Sequence, residues 1–372
     1  MMLIDLHNDA IPRLIMDGHA DLSVRNSRGA TDLVRLREGG VQAQTFVMFC
    51  DGRYRGAQAH AYAMAMMDRF DQLMDRAPQL VKQAHRAAEI PAIVATGKIA
   101  ALLAVEGGHM IADSLENLET FCQRGMVYLT LTWNNSTAWA TSARDEVMGN
   151  IPRDKKGLSA LGVDIVTRMN ELGAVADLSH AGEQTFYDVI RTTRKPVMAS
   201  HSNAYSLAPH YRNLKDEQLA ALRENSGLVG INFYAGFVDT AYHTRFAALI
   251  QAHQDLADSL GSERLRQGNV DARTAFLEAL PPNETQNLLP DLDRLIDHVD
   301  HIVAIAGIDH VGIGSDFDGA EAYPKGLHDV TAYPILLARL KARGYTAEML
   351  AKLTGTNTLR VLSGKSHLID EQ

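Results

Sequence analysis

Three imidazoles and two carboxylates stand where hydrophobic, strand-like runs stop: His7 and Asp9 after MMLIDL, Glu106 after AALLAV, His180 after AVADLS and His201 after PVMAS. Neutral imidazole and carboxylate suit zinc, and a carboxylate shared by two cations holds them close enough to act on one water. Five such side chains are what a two-zinc hydrolytic site requires. A single histidine after a strand is usually an ordinary core or surface residue; the repeated placement at strand ends gives the set its weight. His7 and Asp9, two residues apart on one strand end, are expected to point to the same side. Glu106 is the natural bridging carboxylate, and His180 and His201 complete the ligand set of the second metal.

Positioning five side chains from four distant segments calls for a scaffold that gathers strand ends. Short β-type runs alternate with longer amphipathic stretches along the chain, a pattern of parallel βα units. Eight strands are expected at 3–7, 43–49, 100–105, 126–132, 174–179, 197–200, 228–232 and 311–314. Helices are expected at 57–77, 159–172, 183–192, 216–225 and 289–306. This predicts an α/β fold, a closed (β/α)8 TIM-type barrel, with the metal site at the C-terminal ends of the strands, where barrel enzymes place their chemistry. All 372 residues read as one barrel domain. The stretch 234–290 is too long for a plain βα link and reads as a helical insertion, with a helix at 244–260 and the turn-rich PPNETQ. Two further helices are expected over 346–362, with Thr354 or Thr356 as the N-cap of the second.

Hydrophobic residues at 46% and charged residues at 22% are those of a globular chain, and the net charge of −9 argues against nucleic-acid or anionic-membrane partners. No run approaches the ~20 apolar residues of a spanning helix, the N-terminus lacks a basic segment followed by a long apolar one, and the terminal KSHLIDEQ has no anchor signal. A cytoplasmic location is therefore expected. Cys50 and Cys122 sit in apolar surroundings and read as reduced core residues. The Met-rich AMAMMDRF, residues 63–70, reads as a helical core stripe. His298 and His301, one turn apart, read as a solvated helix face, and His109 as a hydrogen-bonding support for Glu106. His210 is a candidate for the pocket lining. The glycines of GIGSDFDG do not have the GxGxxG spacing of a phosphate cradle.

The segments DLHNDAIPRL, AVEGGHMI, YLTLTW, ADLSHAGEQTFYDVI, ASHSNAYSL, HYRNLKDEQL and HVGIGSDFDG resemble, in order, those of the membrane dipeptidase (renal dipeptidase) family of the amidohydrolase superfamily, over about residues 3–361. The resemblance implies a dipeptidase with two zinc or other divalent ions, one on His7 and Asp9, the other on His180 and His201, bridged by Glu106. A hydroxide between the metals would attack the peptide bond of an L-L or L-D dipeptide. It also implies that Arg212 binds the substrate carboxylate, and that Asp316 passes a proton from the bridging water to the leaving amine. Residue types agree: guanidinium is a planar, permanently charged fork, and Asp316 follows a Gly-rich strand end. Asp318 reads as structural. A homodimer is expected.

One position departs from the family. Where most members carry a histidine after the fourth strand, this chain has Trp133, and indole donates through one fixed N–H and cannot become cationic. Asn134, Asn135 or the zinc could supply the missing donor, and Trp133 is expected to mark altered substrate choice or rate. Two other readings stand beside the dipeptidase: another two-metal amidohydrolase acting on an N-acyl amino acid, lactam or ester, and a metal-loaded binding protein that has lost turnover. Glu106, in place of the lysine that many superfamily relatives carboxylate, favours the dipeptidase.

Overall fold

The structure is a computed structural model that describes residues 1–12 and 21–366; the end of DLHNDAIPRL and the terminal residues 367–372 lie outside it. Nine strands form one all-parallel sheet: β1 (Ile4–Asp5), β2 (Ala43–Phe49), β3 (Val81–Gln83), β4 (Ile99–Glu106), β5 (Met126–Thr130), β6 (Val175–Asp177), β7 (Met198–Ala199), β8 (Leu228–Ile231) and β9 (Val311–Ile313). Eight of them close on themselves in the order β1, β2, β4, β5, β6, β7, β8, β9, with β9 returning to β1. The fold is the expected (β/α)8 barrel.

The eight anticipated strands are all present. The ninth, β3, pairs only with the first residues of β4, at Ile99–Ala101. It occupies the edge of β4 below Leu103, where pairing with β5 begins. Three residues, of which only Val81 is buried, leave too short an apolar run to be legible as a strand.

Several strands are shorter than their hydrophobic runs, and buried carboxylates give the reason. Asp5 accepts from the backbone N–H of Ser315 at 2.9 Å and Asp177 from that of Ser200 at 2.7 Å and of Ser179 at 3.1 Å. Side-chain oxygens thus take donors that a longer ladder would have used. Gly314 is required at the same level: a Cβ there would lie 1.8 Å from the Ser200 carbonyl oxygen. The glycines of GIGSDFDG serve close strand approach.

Two apolar layers hold the barrel. Ile4, Val47, Ala100, Leu102, Ala104, Tyr128, Met198 and Leu228 belong to a cluster drawn from strands around the sheet, closed by Ile90, Ile93 and Val361. Leu103, Val105, Phe46 and Phe70 join the larger layer between strands and helices, with Ala63, Met66 and Met67 of the Met-rich stripe. Alternate residues of β4 therefore bury opposite faces, and Glu106 continues the row of Ala100, Leu102 and Ala104.

The helices at Ala57–Arg76, Ala160–Leu172, Glu183–Thr192, Asp216–Glu224 and Leu292–Ala306 match the amphipathic stretches. The insertion differs in detail. The expected helix at 244–260 is broken at His253 into Ala241–Ala252 and Gln254–Ser259, and PPNETQ is a short helix, Pro282–Gln286, rather than a turn. A separate cluster including Tyr242, Phe246 and Phe276 packs these helices against Ala320 and Ala322, just beyond Asp316 and Asp318. Glu321 fastens the contact, accepting from Tyr234 at 3.0 Å, Tyr242 at 2.9 Å and Arg273 at 2.9 Å.

At the C-terminus neither Thr354 nor Thr356 starts a helix. Thr356 has helical φ and ψ and makes no capping bond, and Thr354 donates back to the Leu350 carbonyl. The segments Ala347–Ala351 and Asn357–Leu362 run on through a π-helical turn at Lys352–Thr356, and Thr346 caps the first. A threonine hydroxyl that bonds four residues back looks the same in sequence as one that caps. Both cysteines are free thiols, and among the described residues no helix is long and apolar enough to cross a membrane.

Candidate active site

His7, Asp9, Glu106, His180 and His201 come from four different strand ends and meet at one point. Glu106 Oε1 lies 3.0 Å from His180 Nε2, 3.3 Å from His201 Nε2 and 3.7 Å from His7 Nε2. His7 Nε2 lies 3.7 Å from Asp9 Oδ2, and His180 Nε2 is 3.2 Å from His201 Nε2. All five side chains are buried. Asp316 completes a second grouping with His7 and Asp9, close enough for one cation to meet all three.

The opposite edge of each imidazole fixes which nitrogen carries the proton. Tyr128 Oη donates to the Leu6 carbonyl at 2.8 Å, so it accepts from His7 Nδ1–H at 3.0 Å. Ser200 Oγ donates to Asp177 at 2.7 Å and accepts from His201 Nδ1–H at 2.8 Å. Asn134 Oδ1 accepts from His180 Nδ1–H at 3.2 Å. Each Nε2 is thereby left as a bare lone pair aimed inward.

Lone pairs from three rings and a carboxylate oxygen repel one another unless a cation sits among them. His7 Nε2 and Asp9 Oδ1, both buried, have no hydrogen-bond partner among the described residues. Such groups are costly to bury unless something is bound to them. The donor set of imidazole nitrogen and carboxylate oxygen fits zinc and other divalent ions.

The electrostatics agree. Burial drives the His7 imidazole down to about 3, with the charge of Arg212 adding to it. His180 and His201 are also held well below the ordinary histidine range, chiefly by burial. Burial pushes Asp9 and Glu106 well up, reinforced for Asp9 by Glu106 and Asp316, and for Glu106 by Asp316. Asp316 is raised to about 6 by burial, against a 2.9 Å bond from Asn232 Nδ2 and the charge of Arg212.

These shifts make a prediction for the chelated protein. Above pH ~7.5 its histidines are neutral whether folded or not. The raised carboxylates keep protons in the folded state that the unfolded chain has released, so stability falls as pH rises. The melting temperature of the chelated chain is expected to decline from pH 7.5 to 9, and zinc is expected to abolish the decline by favouring the ionised carboxylates. Scanning fluorimetry across that range checks it; a flat profile for the chelated chain is the contrary result.

The backbone at two of these positions is unusual. His180 and Asp316 have φ of 67° and 62°, the left-handed region that non-glycine residues rarely adopt. Each sits where a strand breaks away, and the turn aims the side chain inward. Gly319 leaves room beside Asp316: a Cβ there would come within 2.1 Å of Asp316 Oδ1 and 2.2 Å of Asp9 Oδ2.

Arg212 is buried at the rim. Its guanidinium donates to the His201 carbonyl at 3.3 Å and lies over the Phe237 ring at 5.3 Å, and its Nε has no partner among the described residues. Trp133 is half-buried, its ring 4.9 Å from Phe49 and 6.4 Å from His180. Asn134 is committed to His180, and Asn135 packs beside Gly52. Asp318 accepts from the Ala30 amide at 2.7 Å, a structural tie.

Two histidines differ from expectation. His298 is fully buried, accepting from Ala204 N at 3.1 Å and donating to the Val238 carbonyl at 3.0 Å; only His301 is at the surface, against Asp216. The periodicity of one helix does not reveal that the insertion covers that face. His109 Nε2 faces the Cys50 carbonyl at 3.1 Å instead of supporting Glu106. His210 does line the cleft beside Arg212. Supporting groups not anticipated from the sequence are Tyr128, Ser200 and Asp177; Asn134, a candidate donor to the substrate, instead orients His180. The signal available for Ser200 is adjacency to His201; for Tyr128 and Asp177 it is a polar group inside a hydrophobic strand.

A parallel barrel with inward-facing imidazoles and carboxylates at the C-terminal ends of its strands defines a metal-dependent hydrolase. Comparison with known proteins gives the family. The membrane dipeptidase profile, peptidase family M19, matches residues 1–369. An uncharacterized dipeptidase of Schizosaccharomyces pombe is 34% identical over 343 residues, covering 89% of this chain and 71% of the relative. Dipeptidase 3 of Rattus norvegicus is 30% identical over 366 residues, and the chain, though 96% covered, spans 64% of that relative's length. Among solved structures, a dipeptidase of family M19 superposes with a TM-score of 0.78 at 28% identity over 98% of both chains. A metallopeptidase from Rhodobacter sphaeroides, liganded with a phosphinate mimic of L-Ala-D-Ala, gives 0.78 at 27% identity over 98% of this chain and 99% of its own. The chain belongs to the membrane dipeptidase family, peptidase family M19, and its class is that of the metallo-dipeptidases.

Proposed function

We propose that this chain hydrolyses dipeptides with a free C-terminal carboxylate, using two divalent cations, zinc in the first instance. One is held by His7 and Asp9, the other by His180 and His201, with Glu106 shared. The observation that carries this reading is the convergence of three deprotonated Nε2 atoms on Glu106 Oε1, with His7 Nε2 and Asp9 Oδ1 unpartnered. When bound, such cations polarise the scissile carbonyl and lower the pKa of water.

The remaining work falls to the chain. Arg212 receives the substrate carboxylate on its inward N–H groups, a charge-assisted contact that fixes the dipeptide's direction. Asp316, beside Asp9 and steadied by Asn232, takes the proton from the attacking water. As the new C–O bond forms and the C–N bond breaks, the same carboxyl delivers that proton to the leaving amine. Burial of Asp316 raises its pKa toward the operating range of such an acid and base. Trp133, with no ionisable proton, contributes shape at the mouth beside His180. The binding of an L-Ala-D-Ala mimic by the R. sphaeroides relative supports a dipeptide substrate and makes a D-residue at the C-terminal position a first choice to test.

The test pairs metal content per chain with hydrolysis of pooled L-L and L-D dipeptides by the zinc-loaded protein. Two equivalents with amino-acid release are expected. Two equivalents with no release from any pool would assign the site to a different amide or ester.

A further inference from the structure

A cleft of about 390 Å³ opens from the site on the side of β6 and β7. His180 and Arg212 lie at its inner end, so it is continuous with the place where a substrate carboxylate meets Arg212. Its inner walls include Ala143 and Ala181, both buried. Toward the mouth stand Val147, 66% exposed, and Tyr205, 37% exposed. Large hydrophobic side chains exposed to solvent number seven among the described residues: Met1, Val24, Val147, Met148, Val163, Tyr205 and Ile335. Two of them line this cleft, and Met148 follows Val147 directly. Exposed apolar side chains gathered on a concave surface next to reactive groups are the mark of a ligand contact.

Charge at the rim is balanced. Lys215 pairs with Glu183 at 2.6 Å, Lys156 donates to the Glu146 backbone carbonyl at 3.1 Å, and the Glu146 carboxylate accepts from Thr141 Oγ1 at 2.5 Å. The two cations, Lys156 and Lys215, are matched by two anions, Glu146 and Glu183, so the cleft offers a charged side chain no net opposite charge, whereas an apolar one gains contact with Val147, Tyr205 and the alanines. A single aromatic side chain fits within the volume.

We infer that this cleft is the subsite for the side chain of the substrate's C-terminal residue, and that it selects large apolar or aromatic residues there. The inference rests on the dipeptidase reading, because Arg212 sets which end of the substrate faces the cleft. Transfer of an aromatic side chain from water to such a wall favours Ala-Phe over Ala-Gly by roughly 10- to 100-fold in kcat/KM.

The experiment uses the zinc-loaded full chain with Ala-Gly, Ala-Ala, Ala-Leu, Ala-Phe and Ala-Asp, the chiral C-terminal residues in L and D forms. Calorimetry with phosphinate analogues of Ala-Gly and Ala-Phe reads binding without turnover. The expected result is a rise in kcat/KM and in analogue affinity from Gly to Phe, with Asp poor. Val147→Asp and Tyr205→Ser should each lower the Phe-to-Gly ratio several-fold in both measurements; Val163→Asp, an exposed position outside the cleft, should leave the ratio unchanged. Equal rates for Gly and Phe, a preference for Asp, or a ratio unmoved by both cleft variants would overturn the subsite while leaving the dipeptidase reading intact. No hydrolysis of any dipeptide and no analogue binding would overturn both.

Discussion

Glu106→Gln is expected to lower kcat/KM on the best dipeptide by on the order of 10³-fold or more, with metal content falling below that of the parent chain. The reason lies in what Glu106 faces. Its Oε1 is the atom on which His7, His180 and His201 converge. A glutamine oxygen accepts hydrogen bonds but brings no negative charge to offset a bound dication, and its amide N–H₂ could turn toward the bare nitrogens. Those N–H groups would satisfy the rings without metal, so the folded chain should survive and even resist unfolding when chelated. Metal analysis of the dialysed variant, read beside its activity and melting curve, separates a lost cation from a lost fold. Full metal content with turnover near that of the parent would remove Glu106 from the shared position.

Asp316→Asn is expected to cost roughly 10²- to 10⁴-fold in kcat, with a much smaller change in KM and with metal retained. The substitution is nearly isosteric, and the amide oxygen can still accept from Asn232 Nδ2, which holds Asp316 at 2.9 Å. What is lost is the capacity to take and return a proton. Burial raises this carboxyl to about 6 in the chelated chain and bound cations lower it from there, so the parent enzyme should gain activity through an acid limb below that value as the base ionises, and the variant's residual rate should lack that limb. A kcat within tenfold of the parent, or a variant that keeps the limb, would assign the proton to another group. The left-handed backbone at Asp316 adds no cost to the substitution: Asn tolerates φ near 60° as well as Asp, so folding should be unaffected.

Much of this was legible without coordinates. Inward-facing strands such as Ile99–Glu106, buried along their whole length, must be runs of apolar residues that end where solvent begins, so the eight runs could be counted from hydrophobicity alone. Ligand-type residues at the ends of those runs followed from the same rule, because barrel chemistry occupies the ends that run into loops. The short β3 and the break of the insertion at His253 were not legible, since each is set by what packs against it and not by local pattern. His298 is the clearest case: its helix gives it a surface period, yet Val238 and Ala204 from other segments close over it.

The architecture, the strand ends that carry the metal-ligand residue types, and the family whose segments they resemble are all readable from the order of residues, because strand burial and residue chemistry are written locally. Which nitrogen of each histidine faces inward is set by the folded arrangement, through Tyr128, Ser200 and Asn134. That arrangement alone revealed the left-handed turns that aim His180 and Asp316, and the cleft that runs outward from Arg212. Those features depend on contacts between residues as far apart as the 121 positions that separate His7 from Tyr128, and no local periodicity encodes a contact of that range.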